Sequence, residues 1–411
     1  MVPNRRAFFS RLAALGGAMG LSNAAVESTA GALPTAGRAE FVAPDSAKLS
    51  WEIKDGRKEF HLIAGVVRTE FLPGRPVDAW GYNGMVPGPV IEIDEGDRVR
   101  IVVDNHLPEP TSMHWHGLEI PVDMDGAPGI SQDPIPPGGR FVYEFDIHQS
   151  GTFFYHSHMP MQEMMGMIGF FVIHPRKPEH PVVDRDFGLI LQEWDLRPNN
   201  TVPNTLAMEF NWLTMNGKAG PATTPMIART GERVRIRLVN LGMDHHPIHL
   251  HGNTFVVTGS EAGRAPESTW APGNTVLVGV AQARDIEFDA KYEGDWMVHC
   301  HMPHHGMNQM VSMVGPMMRK GGMPGMNHGA SAPAPGYPQD MWMVMDADYA
   351  SKPECYGLRA GWTGGMMGMM TLIRVVPPEL YDKIEALRAS QGSRPTPPRA
   401  PAGGHEHGHH S

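Results

Sequence analysis

Residues 294–310 read Gly-Asp-Trp-Met-Val-His-Cys-His-Met-Pro-His-His-Gly-Met-Asn-Gln-Met. In a β-strand successive side chains point to opposite faces, so His299 and His301 share one face and the Cys300 thiol takes the other. One strand can therefore serve two metal sites. Beyond it, His305 and Met310 lie where the chain must turn. With Cys300 they supply the soft thiolate, imidazole and weak thioether of a blue-copper electron-transfer site, which still lacks one imidazole.

The missing imidazole comes from an internal repeat. Asn83-Gly84, the run Gly96-Asp97-Arg98-Val99-Arg100-Ile101, Asn105 and His114-Trp115-His116-Gly117 recur as Asn216-Gly217, Gly231-Glu232-Arg233-Val234-Arg235-Ile236, Asn240 and His249-Leu250-His251-Gly252. Phe145-Asp146, Gly151 and His156-Ser157-His158 recur as Phe288-Asp289, Gly294 and His299-Cys300-His301. Two β domains of one ancestry follow one another and meet near residues 175–184. Thr111, Ser157 and Gln162 stand where the second copy has His246, Cys300 and His305. The blue site, His246, Cys300, His305 and Met310, thus belongs to the second copy alone. Met167 aligns with Met310 at the same spacing.

Four His-X-His pairs remain, His114 with His116, His156 with His158, His249 with His251 and His299 with His301. Eight imidazoles exceed the needs of one zinc ion and suffice for a three-copper cluster. A single alternating pair is an ordinary strand feature, but four at repeat-equivalent positions are not.

The elements that must carry these residues are strands. Runs at 60–69, 90–93, 98–103 and 141–145 are apolar or alternating and are bounded by Pro-Gly, Glu-Gly and Gly-Gly turns. With 47 Gly, 38 Pro and 19% charged residues in 411, many short strands are favoured over long helices. The net charge of −10 leaves no basic surface for nucleic acid. Two cysteines do not make a disulfide framework.

These motifs, His114-Trp115-His116-Gly117, His156-Ser157-His158, His246-Pro247-Ile248-His249-Leu250-His251-Gly252 and His299-Cys300-His301 with His305 and Met310, resemble the four copper motifs of the multicopper oxidases. The resemblance spans residues 50–318. The short spacer between the second and third motifs is similar to that of the two-domain, laccase-like branch with its blue (type-1) copper in the second domain. It implies an all-β chain of two tandem cupredoxin-like Greek-key β-sandwich domains, at 36–178 and 179–318, with a leader at 1–35 and a Met-rich extension at 319–411. It further implies four coppers per subunit. His114 and His249 would hold a type-2 copper, and His116, His156, His158, His251, His299 and His301 a type-3 pair. Asp125 would deliver protons, and Cys300 would link the blue site to the cluster through His299 and His301. Two-domain relatives close as homotrimers, so that the first domain of one chain meets the second domain of the next.

The implied reaction is one-electron oxidation of a small reducing substrate, a phenol, an aromatic amine, Cu(I) or Mn(II), coupled to reduction of dioxygen to water. Two other classes compete. A copper nitrite reductase also pairs two such domains but needs three imidazoles at its catalytic copper. A copper-sequestering protein would use the clustered methionines, including those at 317–326, and the histidines at 405–410. The run Asn4-Arg5-Arg6-Ala7-Phe8-Phe9 and the apolar stretch after it resemble a twin-arginine export signal, implying a periplasmic or secreted protein. No other stretch is long enough to span a membrane. A short helix is expected at 378–389.

Overall fold

The computed structural model describes residues 38–197, 200–307 and 345–392. The export motif, Met310, the loop at 317–326 and the histidine tail lie outside them. The fold is all-β, two sandwiches built from alternating strands, with one α-helix among the described residues, at Pro378–Gly392.

In the first sandwich, strands Arg57–Glu70, Arg98–Asn105 and Arg140–Asp146 form one sheet with Trp51–Lys54 and Pro76–Tyr82. Ile91–Asp94, Ile168–His174, Gly151–His156 and His114–His116 form the other, in that order. Inward residues of both sheets, among them Phe60, Ile101, Tyr143, Trp115, Tyr155 and Phe171, make its core. The runs Gly-Thr-Phe-Phe-Tyr-His and Ile-Gly-Phe-Phe-Val-Ile-His are buried along their whole length. Such runs lack alternation because both of their faces are covered. One face packs in the core of the first sandwich; the other, with Phe154, Ile168, Phe170 and Val172, packs on Phe41, Ile190, Val239 and Ala283 of the second.

That contact also carries buried charge. Asp186 accepts from Arg235 at 2.6 Å and from Arg237 at 2.8 Å, and Arg237 donates to Thr152 across the junction at 2.6 Å. Burial alone would raise the Asp186 carboxyl, yet Arg235 and Arg237 hold it far below its usual value. The first sandwich is thereby fixed with its histidine-bearing sheet against the second sandwich's opposite sheet, strands Arg185–Trp194, Arg233–Asn240 and Gln282–Asp289.

The second sandwich does not end at 318, as the repeat length suggested. Its histidine-bearing sheet runs Met226–Arg229, Met370–Val376, Gly294–Cys300, His246–Leu250 and Thr275–Val278. Met370–Val376 pairs antiparallel with Gly294–Cys300 and parallel with Met226–Arg229, as Ile168–His174 pairs with Gly151–His156 and Ile91–Asp94. A sandwich lacking that strand would leave Cys300 beside an open sheet edge, so part of the expected extension is a core strand. Conversely Phe41–Val42, expected in the first domain, pairs with Arg185–Trp194 of the second. The helix packs Tyr381 and Ile384 on Ile227 and Val376.

Ile373 is fully buried in the core that holds Cys300. Ile373→Ala should lower stability by about 3 kcal/mol in urea denaturation, as truncation of a core residue does; a residue of an appended tail would give almost no change.

Candidate metal centres

Strand Gly294–Cys300 turns Val298 and Cys300 into the core and His299 to the other face. Cys300 Sγ lies 3.4 Å from His305 Nδ1 and 3.7 Å from His246 Nδ1, and the two Nδ1 atoms are 3.2 Å apart. All three residues are buried. Burial pushes the Cys300 thiol up to about 12, and burial with neighbouring imidazoles pulls His246 down to about 3; His305 falls to about 4 by burial and the His304 charge. Two neutral imidazoles aimed at a buried sulfur are the donor set for a soft cation, whose charge would convert the thiol to thiolate.

The corresponding place in the first sandwich shows what a satisfied version looks like. There Gln162 Oε1 accepts from Thr111 Oγ1 at 2.8 Å and from Ser157 Oγ at 2.7 Å. Neutral hydrogen bonds close that triad, so it calls for no ion. In the second sandwich Nε2 of both His246 and His305 and Oε2 of Glu193 are buried without hydrogen-bond partners.

The structure also supplies a residue that spacing missed. Ser157 N–H donates to Met167 O and Cys300 N–H to Met369 O; Met167 N–H donates to Gln162 O and Met369 N–H to His305 O. Ile168 pairs with His156 as Met370 pairs with His299. The counterpart of Met167 is therefore Met369, fully buried in the cluster that contains Cys300, whereas Met310 lies outside the described residues. A signal was present: Met164-Met165-Gly166-Met167 recurs as Met366-Met367-Gly368-Met369, both glycines having positive φ. A Cβ at Gly368 would lie 2.2 Å from His305 O, so the turn that brings Met369 back to Cys300 admits only glycine.

The eight remaining imidazoles form two sets of four. His114 lies with its ring 5.3–5.7 Å from those of His116, His156 and His158. His249 lies 4.8–5.6 Å from those of His251, His299 and His301. Backbone carbonyls orient the rings. Nδ1 of His114 donates to Asp125 O at 2.8 Å, of His156 to Ser157 O at 2.7 Å, of His249 to Asn274 O at 2.7 Å and of His299 to Cys300 O at 2.8 Å. Each bond leaves the Nε2 lone pair to face the neighbouring imidazoles, the way a carbonyl fixes the tautomer of a metal-binding histidine. Burial and the neighbouring imidazoles lower His116 to about 4 and lower His251 as well. Asp125 also places Oδ1 3.4 Å from His114 Nδ1, and its side chain is half exposed.

Among the described residues no hydrogen bond or ring contact joins one set to the other. His116 instead faces Glu261 and the carbonyl of Ala281 in the second sandwich. His158 and His301 are exposed. Of the methionines at 159–165, Met164 and Met165 are buried packing, and Met159 and Met161 are half exposed.

Two family models described as Multicopper oxidase match residues 65–178 and 195–316, together more than half of the chain. The chain is 42% identical over 136 residues to the copper resistance protein A homolog of Pseudomonas syringae pv. tomato, covering 33% of this chain and 23% of that protein. It is 30% identical over 250 residues to multicopper oxidase MmcO of Mycobacterium tuberculosis, covering 52% and 48%. The chain thus spans less than half the length of either relative. The blue copper oxidase of Nitrosomonas europaea superposes with a TM-score of 0.57 at 30% identity, over 61% of this chain and 81% of that one.

Met369→Leu, in copper-loaded protein, should shift the visible thiolate band and raise the reduction potential of the blue site, because a weak axial thioether tunes both. Met310→Leu should leave both unchanged. The opposite pattern would assign the thioether to Met310.

Proposed function

Because the chain belongs to the multicopper oxidase family, we propose that it is a laccase-like copper oxidase of the two-domain kind, which takes single electrons from a small reducing substrate and passes them to dioxygen. The observation that carries this reading is the strand Gly294–Cys300, which holds Cys300 between His246 and His305 and turns His299 toward His249 and His251. Copper at these places would supply one-electron exchange at the thiolate and four-electron reduction of dioxygen to water at the cluster.

His246, Cys300, His305 and Met369 would hold the blue copper. His114 and His249 would hold the type-2 copper, and His116, His156, His158, His251, His299 and His301 the type-3 pair. Cys300 joins the two sites covalently, and its carbonyl also accepts from His299 Nδ1, so one residue touches both centres. Asp125, half exposed behind His114, can hold a proton between solvent and the cluster. Burial of Cys300 keeps water from the sulfur.

Assembly follows from the open sets of four. The first sandwich spends the outer face of its histidine-bearing sheet on the second sandwich of the same chain, so the second set finds no first set within its own chain. A head-to-tail contact repeated around a ring would join them, and we place the ring at a trimer. Leu358, Trp362 and Met366 cover Met297, Met370 and Leu372 on the face that bears His299, while His301 stays exposed. Export through Arg5-Arg6 to the periplasm or cell exterior fits a protein loaded with metal before transport; among the described residues no helix is long and apolar enough to cross a membrane.

Purified holoprotein should bind four coppers per chain, consume oxygen with a phenol or a reduced metal ion, and scatter light as a trimer. Copper binding without oxygen uptake would favour sequestration, and nitrite turnover would favour a reductase. Cys300→Ser should remove the intense blue absorption and the oxygen uptake while keeping most cluster copper, because the imidazoles of the cluster lie on the opposite face of the strand. A blue, active serine variant would contradict the assignment.

A further inference from the structure

Glu193, on strand Arg185–Trp194, is a fully buried carboxylate beside His246. Its Oε1 accepts from the backbone N–H groups of Met243 and, at 2.6 Å, Asp244. Its Oε2 has no hydrogen-bond partner and lies 3.6 Å from His246 Nε2, which has none either. Among the described residues no lysine or arginine pairs with Glu193, whereas Asp186, buried on the same strand, has two arginines. A buried carboxylate without a cation of its own is costly unless a neighbour supplies the opposite charge.

The repeat ties this carboxylate to the sandwich that has Cys300. Leu191 pairs with Asn240 as Ala64 pairs with Asn105, so Glu193 takes the place of Val66, which is 59% exposed. The turn beyond the next strand changes with it. Asn105 bonds the N–H of Leu107 and the carbonyl of Glu109, and Asn240 bonds the N–H of Gly242 and the carbonyl of Asp244 in the same way. Leu107-Pro108 of the first sandwich therefore corresponds to Gly242-Met243 of the second. A side chain at Gly242 would collide with the carboxylate, since a Cβ there would lie 2.6 Å from Glu193 Oε1. Pro108 has no N–H, whereas Met243 donates one to Oε1. Three coordinated differences, beside the exchange of Thr111 for His246, thus seat a carboxylate in one copy and not in the other.

We propose that Glu193 is a positioning residue for His246: its carboxylate accepts from Nε2–H, which leaves the Nδ1 lone pair for the cation beside Cys300, and it sets a second fixed negative charge next to the thiolate. The inference rests on the reading of His246, Cys300 and His305 as a blue-copper site and deepens it. An imidazole whose Nδ1 is committed to a metal carries its proton on Nε2, and a carboxylate oxygen is a strong acceptor for that proton. The separation of 3.6 Å is a few tenths of an ångström beyond a hydrogen bond, and a small turn of the ring closes it. Oε1 cannot trade places with Oε2, because two backbone donors hold it. A buried charge this close is weakly screened and favours Cu(II) over Cu(I). Glu193 therefore lowers the reduction potential of the site. With no exposed surface it touches no substrate.

The test measures the reduction potential of the blue copper in copper-loaded full-length protein, by anaerobic redox titration of its thiolate band. In Glu193→Gln the amide oxygen keeps the two backbone bonds, and the amide nitrogen, a donor, faces His246 Nε2. The ratio of Cu(II) to Cu(I) affinity should fall by about tenfold or more, as loss of such a partner does. That fall reads as a potential higher by about 59 mV or more. A second variant, Glu193→Val with Gly242→Leu and Met243→Pro, copies the arrangement of the first sandwich; it should shift the potential the same way, and it decides the matter if the amide variant holds no copper. A residue that only packed the turn would lower the melting temperature of the copper-free protein and leave the potential where it was. An unchanged or lower potential in a blue variant overturns the inference while leaving the blue-copper reading intact. Wild-type protein that shows no thiolate band when loaded with copper overturns that reading, and this inference with it.

Discussion

The alternation of one β-strand is the constraint on which the rest depends. Residues two apart on Gly294–Cys300 share a face, so the strand cannot present Cys300 to the core without presenting His299 to the opposite side. The core side is walled by Leu250, Val298, Met369 and Ile373, and there the thiol has two neutral imidazoles and no polar escape. The other side lies next to His249 and His251. The two proposed centres would therefore sit a single residue apart, and no loop has to place one relative to the other. A site assembled from loops would need many more contacts to hold the same relation.

The repeat makes the meaning of each face legible. Both sandwiches fold with the same order of strands around the same pair of His-X-His motifs, but the first closes its inner triad with Thr111, Ser157 and Gln162 in neutral hydrogen bonds. Identical backbone geometry with different side chains separates what the fold requires from what the metal requires. Thr111, Ser157 and Gln162 are readable in the sequence because spacing is preserved between 96–116 and 231–251, and again between 145–162 and 288–305. The imidazole sets, the inner triad and the all-β class follow from that preserved spacing.

Where the spacing breaks, the sequence misleads. Residues 306–368 stand between His305 and Met369, in the place of the four residues between Gln162 and Met167. Counting onward from His301 reaches Met310, while the strand that completes the sheet returns only at Met370. The repeated Met-Met-Gly-Met could have marked the return, but methionine is so frequent in this chain that composition hid it. Glu193 was invisible for a different reason: it reaches His246 only because parallel pairing of Arg185–Trp194 with Arg233–Asn240 brings its strand beside the turn at 243–244. Of the methionines at 159–165 the core claims Met164 and Met165, as it usually claims an adaptable thioether.

The same alternation that would build the proposed blue site leaves each set of four imidazoles half complete. Within one chain His116 of the first set is turned against Glu261 and Ala281 and the second set lies on the far sheet, so the proposed cluster would be shared between neighbours in a ring. Subunit complementation tests that sharing most directly. One variant carries His114→Asn and His158→Asn, the other His249→Asn and His301→Asn, and each alone should assemble without cluster activity. Co-expressed, they should recover roughly a quarter of wild-type oxygen uptake, since random mixing pairs an intact first domain with an intact second domain at about one interface in four. Recovery of none, with mixed assemblies demonstrated, would show that the cluster closes within a single chain.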